Sequence, residues 1–221
     1  MSARWVIFDL DGTLIESEQI WRDVRRAFVI EHGGHWVDGA QEQMIGMRTN
    51  EWAAYMHDGL GVPVAPQTIA DRVVHTVAKA VARAVPILPG APEALERMYA
   101  AFPLGLATSA ARPVAEAALA ATGWSKYFNV VVSADDVARG KPAPDVYLRA
   151  LELLRADARR TAAVEDSANG IRSAYNAKLA VIAIPNREFP PDRNALALAR
   201  CVLPNVGDLD VATVEDAVAA T

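Results

Sequence analysis

Short apolar runs recur along the chain with amphipathic stretches between them. Trp5-Val6-Ile7-Phe8, Leu104-Gly105-Leu106-Ala107, Val130-Val131-Val132, Ala162-Ala163-Val164, Val181-Ile182-Ala183-Ile184 and Cys201-Val202-Leu203 have the length and apolar character of strands buried on both faces. Helical patterns fill the gaps at Pro92 to Ala101, Pro113 to Ala121, Pro144 to Leu154 and Ala168 to Ala177. The first three carry proline in the opening turn, where its missing N–H costs least. Strands separated by helices predict a parallel sheet covered by helices on both faces.

Residues 15–85 interrupt that alternation. They read as helices only, at Glu18 to Glu31, about Asn50 to Leu60 and Thr68 to Ala84, with breaks at Gly33-Gly34 and Gly59-Leu60-Gly61-Val62-Pro63. The expected organisation is an α/β core of residues 1–14 and 86–221, with an all-helical cap of residues 15–85 inserted after the first strand. Pro86 and Pro89-Gly90 mark the return to the core, and the two crossings are natural hinges.

At 221 residues the chain can bury a large core without a disulfide or structural metal. Its 22 basic and 27 acidic residues give a net charge of −5, so no general basic field exists to hold nucleic acid. Cys201, the single cysteine, is expected to be a buried, inert thiol in a reducing cytosol. The chain start has no signal-peptide pattern, and no apolar run approaches membrane-spanning length. These features predict a cytoplasmic protein with no membrane or nucleic-acid partner, a monomer or weak dimer.

Open parallel sheets bind ligands beyond the carboxyl ends of their strands. Chemistry-bearing residues fall there four times. The first strand ends in Asp9-Leu10-Asp11-Gly12-Thr13, and the second in Thr108-Ser109. Lys141 follows the third, in Gly140-Lys141-Pro142-Ala143-Pro144-Asp145, and the fourth ends in Glu165-Asp166-Ser167. Singly, these are ordinary turn residues, helix caps or a solvated lysine. Together they supply the parts of one phosphoryl transfer: paired carboxylates as nucleophile and acid/base, oxygen ligands for Mg²⁺ from Asp9 and Asp166, and Thr108 and Lys141 to orient phosphoryl oxygens.

This ordered set resembles the four motifs of the haloacid dehalogenase superfamily of aspartate-nucleophile phosphotransferases. The resemblance implies a Rossmann-like core with a helical cap between the first and second motifs. By matched position, Asp9 would attack phosphorus, and Asp11 would protonate the leaving oxygen and then activate water. The carboxylates of Asp9 and Asp166 and the main-chain carbonyl of Asp11 would bind Mg²⁺, with Glu165 supporting that shell directly or through water. Thr108, Ser109 and Lys141 would bind phosphate. Dehalogenation is disfavoured, because those members lack the second aspartate of the first motif and Asp11 is present.

Glu16-Ser17-Glu18-Gln19-Ile20-Trp21 and Val164-Glu165-Asp166-Ser167-Ala168-Asn169-Gly170 are similar to the branch of sugar-phosphate phosphatases and β-phosphoglucomutase. Phosphatase-like members commonly have Asp-Ser-Glu-Pro-Leu-Trp where this chain has Glu-Ser-Glu-Gln-Ile-Trp. The mutase pattern has histidine at the position of Trp21, and its cap lysine finds no secure equivalent. Water is then the expected acceptor, and hydrolysis of a small phosphorylated metabolite, a sugar or polyol phosphate, the expected reaction. A phosphosugar mutase and a non-catalytic phosphometabolite sensor are the alternatives.

Two cap residues admit two readings each. Arg48 aligns with an arginine that grips the substrate's far end in this branch, or is an exposed arginine at a helix start. Trp21 walls a sugar face or packs between cap helices. Arg112 reaches the rim of the site or solvent, Asn169 ties the metal loop to the next helix, and Met44 and Met47 form one buried face. The four histidines show no metal-site spacing and are assigned no role.

Overall fold

The computed structural model describes residues 2–45 and 47–220. Among them six strands form one parallel sheet. These are β1 (Trp5–Phe8), β2 (Leu104–Ala107), β3 (Phe128–Val132), β4 (Thr161–Glu165), β5 (Ala180–Ala183) and β6 (Cys201–Val202), in the order β3-β2-β1-β4-β5-β6. β1 is central, with Val6 opposite Leu104 on one side and Ala162 on the other. The order reverses at β1, so a crevice opens between the loops that leave β1, β2 and β4.

Between β1 and the rest of the sheet the chain builds the cap from four helices, α1 (Glu18–Glu31), α2 (Ala40–Met44), α3 (Thr49–Asp58) and α4 (Pro66–Arg83). Trp21, Phe28, Trp52, Met56, Ile69, Val73 and Val77 are buried among them. They recur at helical spacing, so burial of one face of each helix holds the cap together. The two crossings are hydrogen-bonded to each other. Glu16 N–H donates to the Pro86 carbonyl at 2.8 Å, and Leu88 N–H to the Leu14 carbonyl at 3.0 Å.

The core continues with α5 (Ala91–Ala101), α6 (Arg112–Thr122), α7 (Asp145–Leu154), α8 (Ala168–Asn176), α9 (Arg193–Leu196) and α10 (Val211–Ala219). Side chains alternate across the sheet. Phe8, Leu106, Val164 and Ile182 face the layer of α5, α6 and α10, whose apolar residues run on into the cap. Ile7, Ala107, Ala163 and Val181 face α7, α8 and α9. The cap helix α4 packs along α6, docking the insert on the core.

All six strands lie where the apolar runs predict them, with β3 beginning earlier, at Phe128. The helix expected from Asn50 to Leu60 spans Thr49–Asp58. Pro144 is the N-cap residue of α7 instead of lying within its first turn. Three helices were not anticipated. α2 and α9 are single short turns, and α10 starts at the cap Asp210, whose carboxylate accepts from Thr213 N–H at 2.7 Å. Cys201 is half-buried, not buried, because β6 is the edge of the sheet; partial burial raises its thiol pKa. None of the described helices is long and apolar enough to cross a membrane.

Candidate active site

β1 delivers Asp9 to the carboxyl edge of the sheet, where its N–H still donates to the Val164 carbonyl of β4 at 3.0 Å. The chain then turns tightly. Leu14 and Ile15 N–H both donate to the Leu10 carbonyl, at 2.8 and 3.1 Å, and Gly12 adopts φ +80°. A Cβ on Gly12 would lie 2.0 Å from Oδ2 of Asp166. Glycine is therefore required twice, for the left-handed conformation and for the approach of the β4 loop. The turn brings Asp11 to the cavity beside Asp9, with the Ser17 hydroxyl donating to Oδ1 of Asp11.

Lys141 reaches in from the loop after β3. Its Nζ lies 2.5 Å from Oδ1 of Asp9 and 2.5 Å from Oε1 of Glu165, and its side chain is 4% exposed. The Tyr147 hydroxyl, on α7, donates to the same Oε1 at 2.6 Å. Glu165, the last residue of β4, is fully buried beneath the cavity. Asp166 follows it, and one oxygen each from Asp9, Glu165 and Asp166 fall within 4.8 Å of one another. Ser167 caps α8 by accepting from Gly170 N–H at 3.0 Å. Thr108 is buried, its N–H donating to the Val132 carbonyl at 2.9 Å and its hydroxyl accepting from Ala110 N–H at 3.0 Å.

These elements enclose a cavity of about 210 Å³ lined by Asp9, Asp11, Thr108, Ser109, Lys141 and Asp166. Each residue of the four core motifs assigned a role from sequence lines it except Glu165, which lies behind Lys141. Asn169 lines it too, at the start of α8.

One lysine faces three buried carboxylates, and the electrostatics follow. Burial, with Lys141 opposing and Glu165 adding, raises Asp9 to about 8. Burial and the neighbouring Asp9 and Glu165 charges push Asp166 well above the usual carboxylate range. Lys141 is held above the ordinary lysine value by Asp9 and Glu165 in spite of its burial. Asp11 rises to about 6 through burial, with the Ser17 hydroxyl opposing and the Glu18 and Glu16 charges adding. The cluster is short of positive charge, and its donors are all oxygens. That donor set fits a hard divalent cation.

The cap residues divide. Trp21 is buried and lines a second, smaller cavity against Asp11 and Ser109, so it packs in the cap and also faces the site. Arg48 lines neither cavity. Its guanidinium donates across to the carbonyls of Ala138 at 2.6 Å and Val137 at 3.3 Å, in the loop leading to Lys141. Arg112 pairs with Asp136 and Glu116 away from the cavity, because its place at the start of α6 turns it toward the end of β3. His32 stacks on Phe28, and His57 bonds the Val62 carbonyl, so both serve the cap.

Tyr147, Glu18 and Asn186 were not anticipated. Glu18 and Asn186 line the main cavity, and Asn186 donates to Glu16 at 3.2 Å across the cap junction. Tyr147 had a readable signal in its position one turn into the helix after Lys141. Asn186 had none, since only the fold carries the loop after β5 back to β1.

A family model described as haloacid dehalogenase-like hydrolase matches residues 6–184. The chain is 35% identical over 201 residues to protein CbbY of Rhodobacter capsulatus, covering 84% of this chain and 87% of that protein. It is 29% identical to the phosphorylated carbohydrates phosphatase of Thermotoga maritima, over 78% of this chain and 80% of that one. Among solved structures, a mutant CbbY from Rhodobacter sphaeroides in complex with xylulose-(1,5)bisphosphate superposes with a TM-score of 0.83. It is 27% identical, covering 95% of this chain and 96% of that one.

Proposed function

The chain belongs to the haloacid dehalogenase-like hydrolase family, and from its site we propose a Mg²⁺-dependent phosphatase that acts on a small phosphorylated metabolite, a sugar or polyol phosphate. The observation that carries this reading is the position of Lys141, paired at once with Asp9 and Glu165 in a cavity that Asp11 and Thr108 also line.

In the proposed mechanism an Asp9 carboxylate oxygen attacks phosphorus, and the bond from phosphorus to the leaving oxygen breaks. Asp11 gives its proton to that oxygen; a carboxyl raised to about 6 keeps a protonated fraction of about a tenth at pH 7, far more than an ordinary aspartate. Asp11 then takes a proton from water as the water oxygen attacks the aspartyl-phosphate, releasing phosphate and restoring Asp9. Lys141 and the Thr108 hydroxyl orient the phosphoryl oxygens, and Ser109 lies beside them. Asp9, Asp166 and the carbonyl of Asp11 would hold Mg²⁺, which would supply positive charge to the phosphoryl group. Oε1 of Glu165 already accepts from Lys141 and Tyr147, so Glu165 supports this shell chiefly by fixing Lys141. Closure of the cap, which contributes Glu18 and Ile45 to the cavity wall, excludes bulk water during transfer.

The test is phosphate release from sugar, polyol and nucleotide monophosphates, with Mg²⁺ and with EDTA, by the native protein and by Asp9→Asn. The reading expects Mg²⁺-dependent release that Asp9→Asn abolishes while its fold, checked by circular dichroism, stays intact. Normal turnover by that variant would refute the nucleophile. Conversion of β-glucose 1-phosphate to glucose 6-phosphate, with a trace of bisphosphate and little free phosphate, would establish the mutase instead.

A further inference from the structure

Arg25 occupies a core position on an otherwise apolar helix face. It shares the buried side of α1 with Trp21, Phe28 and Val29 and is itself 5% exposed. Its guanidinium carbon lies 4.6 Å from the Trp21 ring centroid and 4.9 Å from that of Trp52, so two indoles flank the charge. One terminal nitrogen donates to Oε1 of Gln41 at 3.4 Å, and Nε2 of Gln41 donates to Oε2 of Glu18 at 2.8 Å. The Nε–H of Arg25 is buried and has no partner among the described residues. Buried donors are almost always satisfied, so an orphan on a charged group calls for an acceptor.

The acceptor has a place to stand. Arg25, Glu18, Trp21 and Trp52 line a cavity of about 60 Å³ whose other wall is Asp11 and Ser109. Asp11, Glu18 and Ser109 also line the larger cavity around Asp9, so the two share a wall. A group leaving phosphorus and protonated by Asp11 would extend along this shared wall toward the pocket of Arg25.

The charge of this pocket defines what it takes. Arg25 is the one cation among the described residues lining it, where it interacts with the carboxylate of Glu18, and Asp11 lines the same pocket. Arg48 is turned to the Val137 and Ala138 carbonyls, and Arg22 pairs with Glu188 at 3.3 Å. Among the described residues lining the pocket there is no second cation to meet a second phosphate. A hydroxyl fits better, since its oxygen accepts from Arg25 while a neighbouring hydroxyl donates to Glu18. The indoles then face the C–H surface of the same carbon chain.

We propose that Arg25, with Glu18, is the specificity-determining pair of the cap, reading adjacent hydroxyls on an uncharged leaving group and so selecting a polyhydroxylated monophosphate over a bisphosphate. The inference rests on the phosphatase reading for which end of the substrate lies here. It also sets the chain apart from the CbbY protein seen with xylulose-(1,5)bisphosphate.

The test reads binding, not turnover. Calorimetry on Asp9→Asn with Mg²⁺ gives dissociation constants for sorbitol 6-phosphate, ribitol 5-phosphate and glucose 6-phosphate, and for n-hexyl phosphate, fructose 1,6-bisphosphate and inorganic phosphate. The tightest of the three hydroxylated monophosphates should bind better than n-hexyl phosphate and better than the bisphosphate. Arg25→Met should weaken it about 10- to 100-fold, the factor carried by a hydrogen bond to a charged donor. The same change should leave n-hexyl phosphate and inorganic phosphate within about twofold of their starting values, on the same reasoning. Arg25→Lys, which keeps the charge and loses the Nε–H, should not restore binding. An equal loss for every ligand would show a structural role and overturn the proposal. So would no loss, rescue by lysine, or a preference for the bisphosphate. Tight, Arg25-dependent binding in a native protein that releases no phosphate would refute the phosphatase and leave this inference standing.

Discussion

Gly170→Ala sets two effects of opposite sign against each other. Gly170 lies in the first turn of α8, where alanine would ordinarily stabilise by about 1 kcal/mol. Its Cβ would stand 1.8 Å from Oε2 and 2.2 Å from Oε1 of Glu165, inside the carboxylate. Glu165 is fully enclosed, and its Oε1 is held at 2.5 Å by Lys141 and at 2.6 Å by Tyr147, so the carboxylate moves only by breaking both bonds. A hydrogen bond to a charged group contributes about 1.5–3 kcal/mol and overpacking costs about 1–3 kcal/mol. With both bonds broken and the helix gain set against the sum, the net is a loss of about 3–8 kcal/mol, which lowers the melting temperature by about 6–30 °C in a chain of this size. Activity should fall at least about 100-fold, because Lys141 loses the carboxylate that aims it; the factor is that of a misplaced electrostatic group. Thermal denaturation followed by circular dichroism, beside a phosphatase assay, checks both. A melting temperature that is unchanged or raised would refute the reasoning, since it would mean that the carboxylate is free to give way.

The acidic cluster makes a linked prediction. With Asp9 raised to about 8 from 3.8, the metal-free native state holds a proton that the unfolded chain releases, so stability falls as pH rises from about 4 to 8. Mg²⁺ held at one concentration, about 100 times its dissociation constant at pH 8, should restore about 2.7 kcal/mol there and less at pH 5.5, seen by comparing melting in Mg²⁺ and in EDTA. Asp136 has the opposite sign. Its burial is outweighed by the Ser133 N–H at 2.7 Å and by Arg112, which lower its pKa. Its stabilisation is present above the unfolded value and lost as pH falls through the folded one. Asp136→Asn should cost about 1–2 kcal/mol at neutral pH and progressively less as acid protonates the native carboxylate, measured by denaturant titration. Arg48→Ala removes a cap-to-core contact at an exposed site and should leave stability within about 1 kcal/mol while raising KM a few-fold, as looser cap docking requires.

The grouping of residues at the carboxyl edge of the sheet was legible because it depends on short local patterns. A strand, a turn and an acidic residue are fixed within a few positions, and Asp9, Lys141 and Asp166 all follow such signals. The cap was legible only as helices. Arg25 sits four residues after Trp21 and three before Phe28, a spacing that puts it on the buried face. In the sequence, however, it is one of three arginines within five positions, and nothing there separates it from Arg22 and Arg26. Arg48 shows the converse, since an aligned motif position does not determine which way a long side chain turns. Its place beside the loop before Lys141 depends on the docking of α4 against α6, a contact between distant parts of the chain. The bond from Tyr147 to Glu165 likewise depends on the packing of α7 against the sheet.

The paired crossings at Leu14–Glu16 and Pro86–Leu88 make the cap a module. Because the chain leaves and rejoins the core through two segments bonded to each other, the sheet meets the insert as it would meet a short hairpin. A longer, shorter or differently shaped insert spliced beyond this clasp would leave the register of β1 and the position of Asp9 undisturbed. The carboxyl edge of the sheet and the helices that stand over it can therefore vary separately, through one junction only a few residues wide.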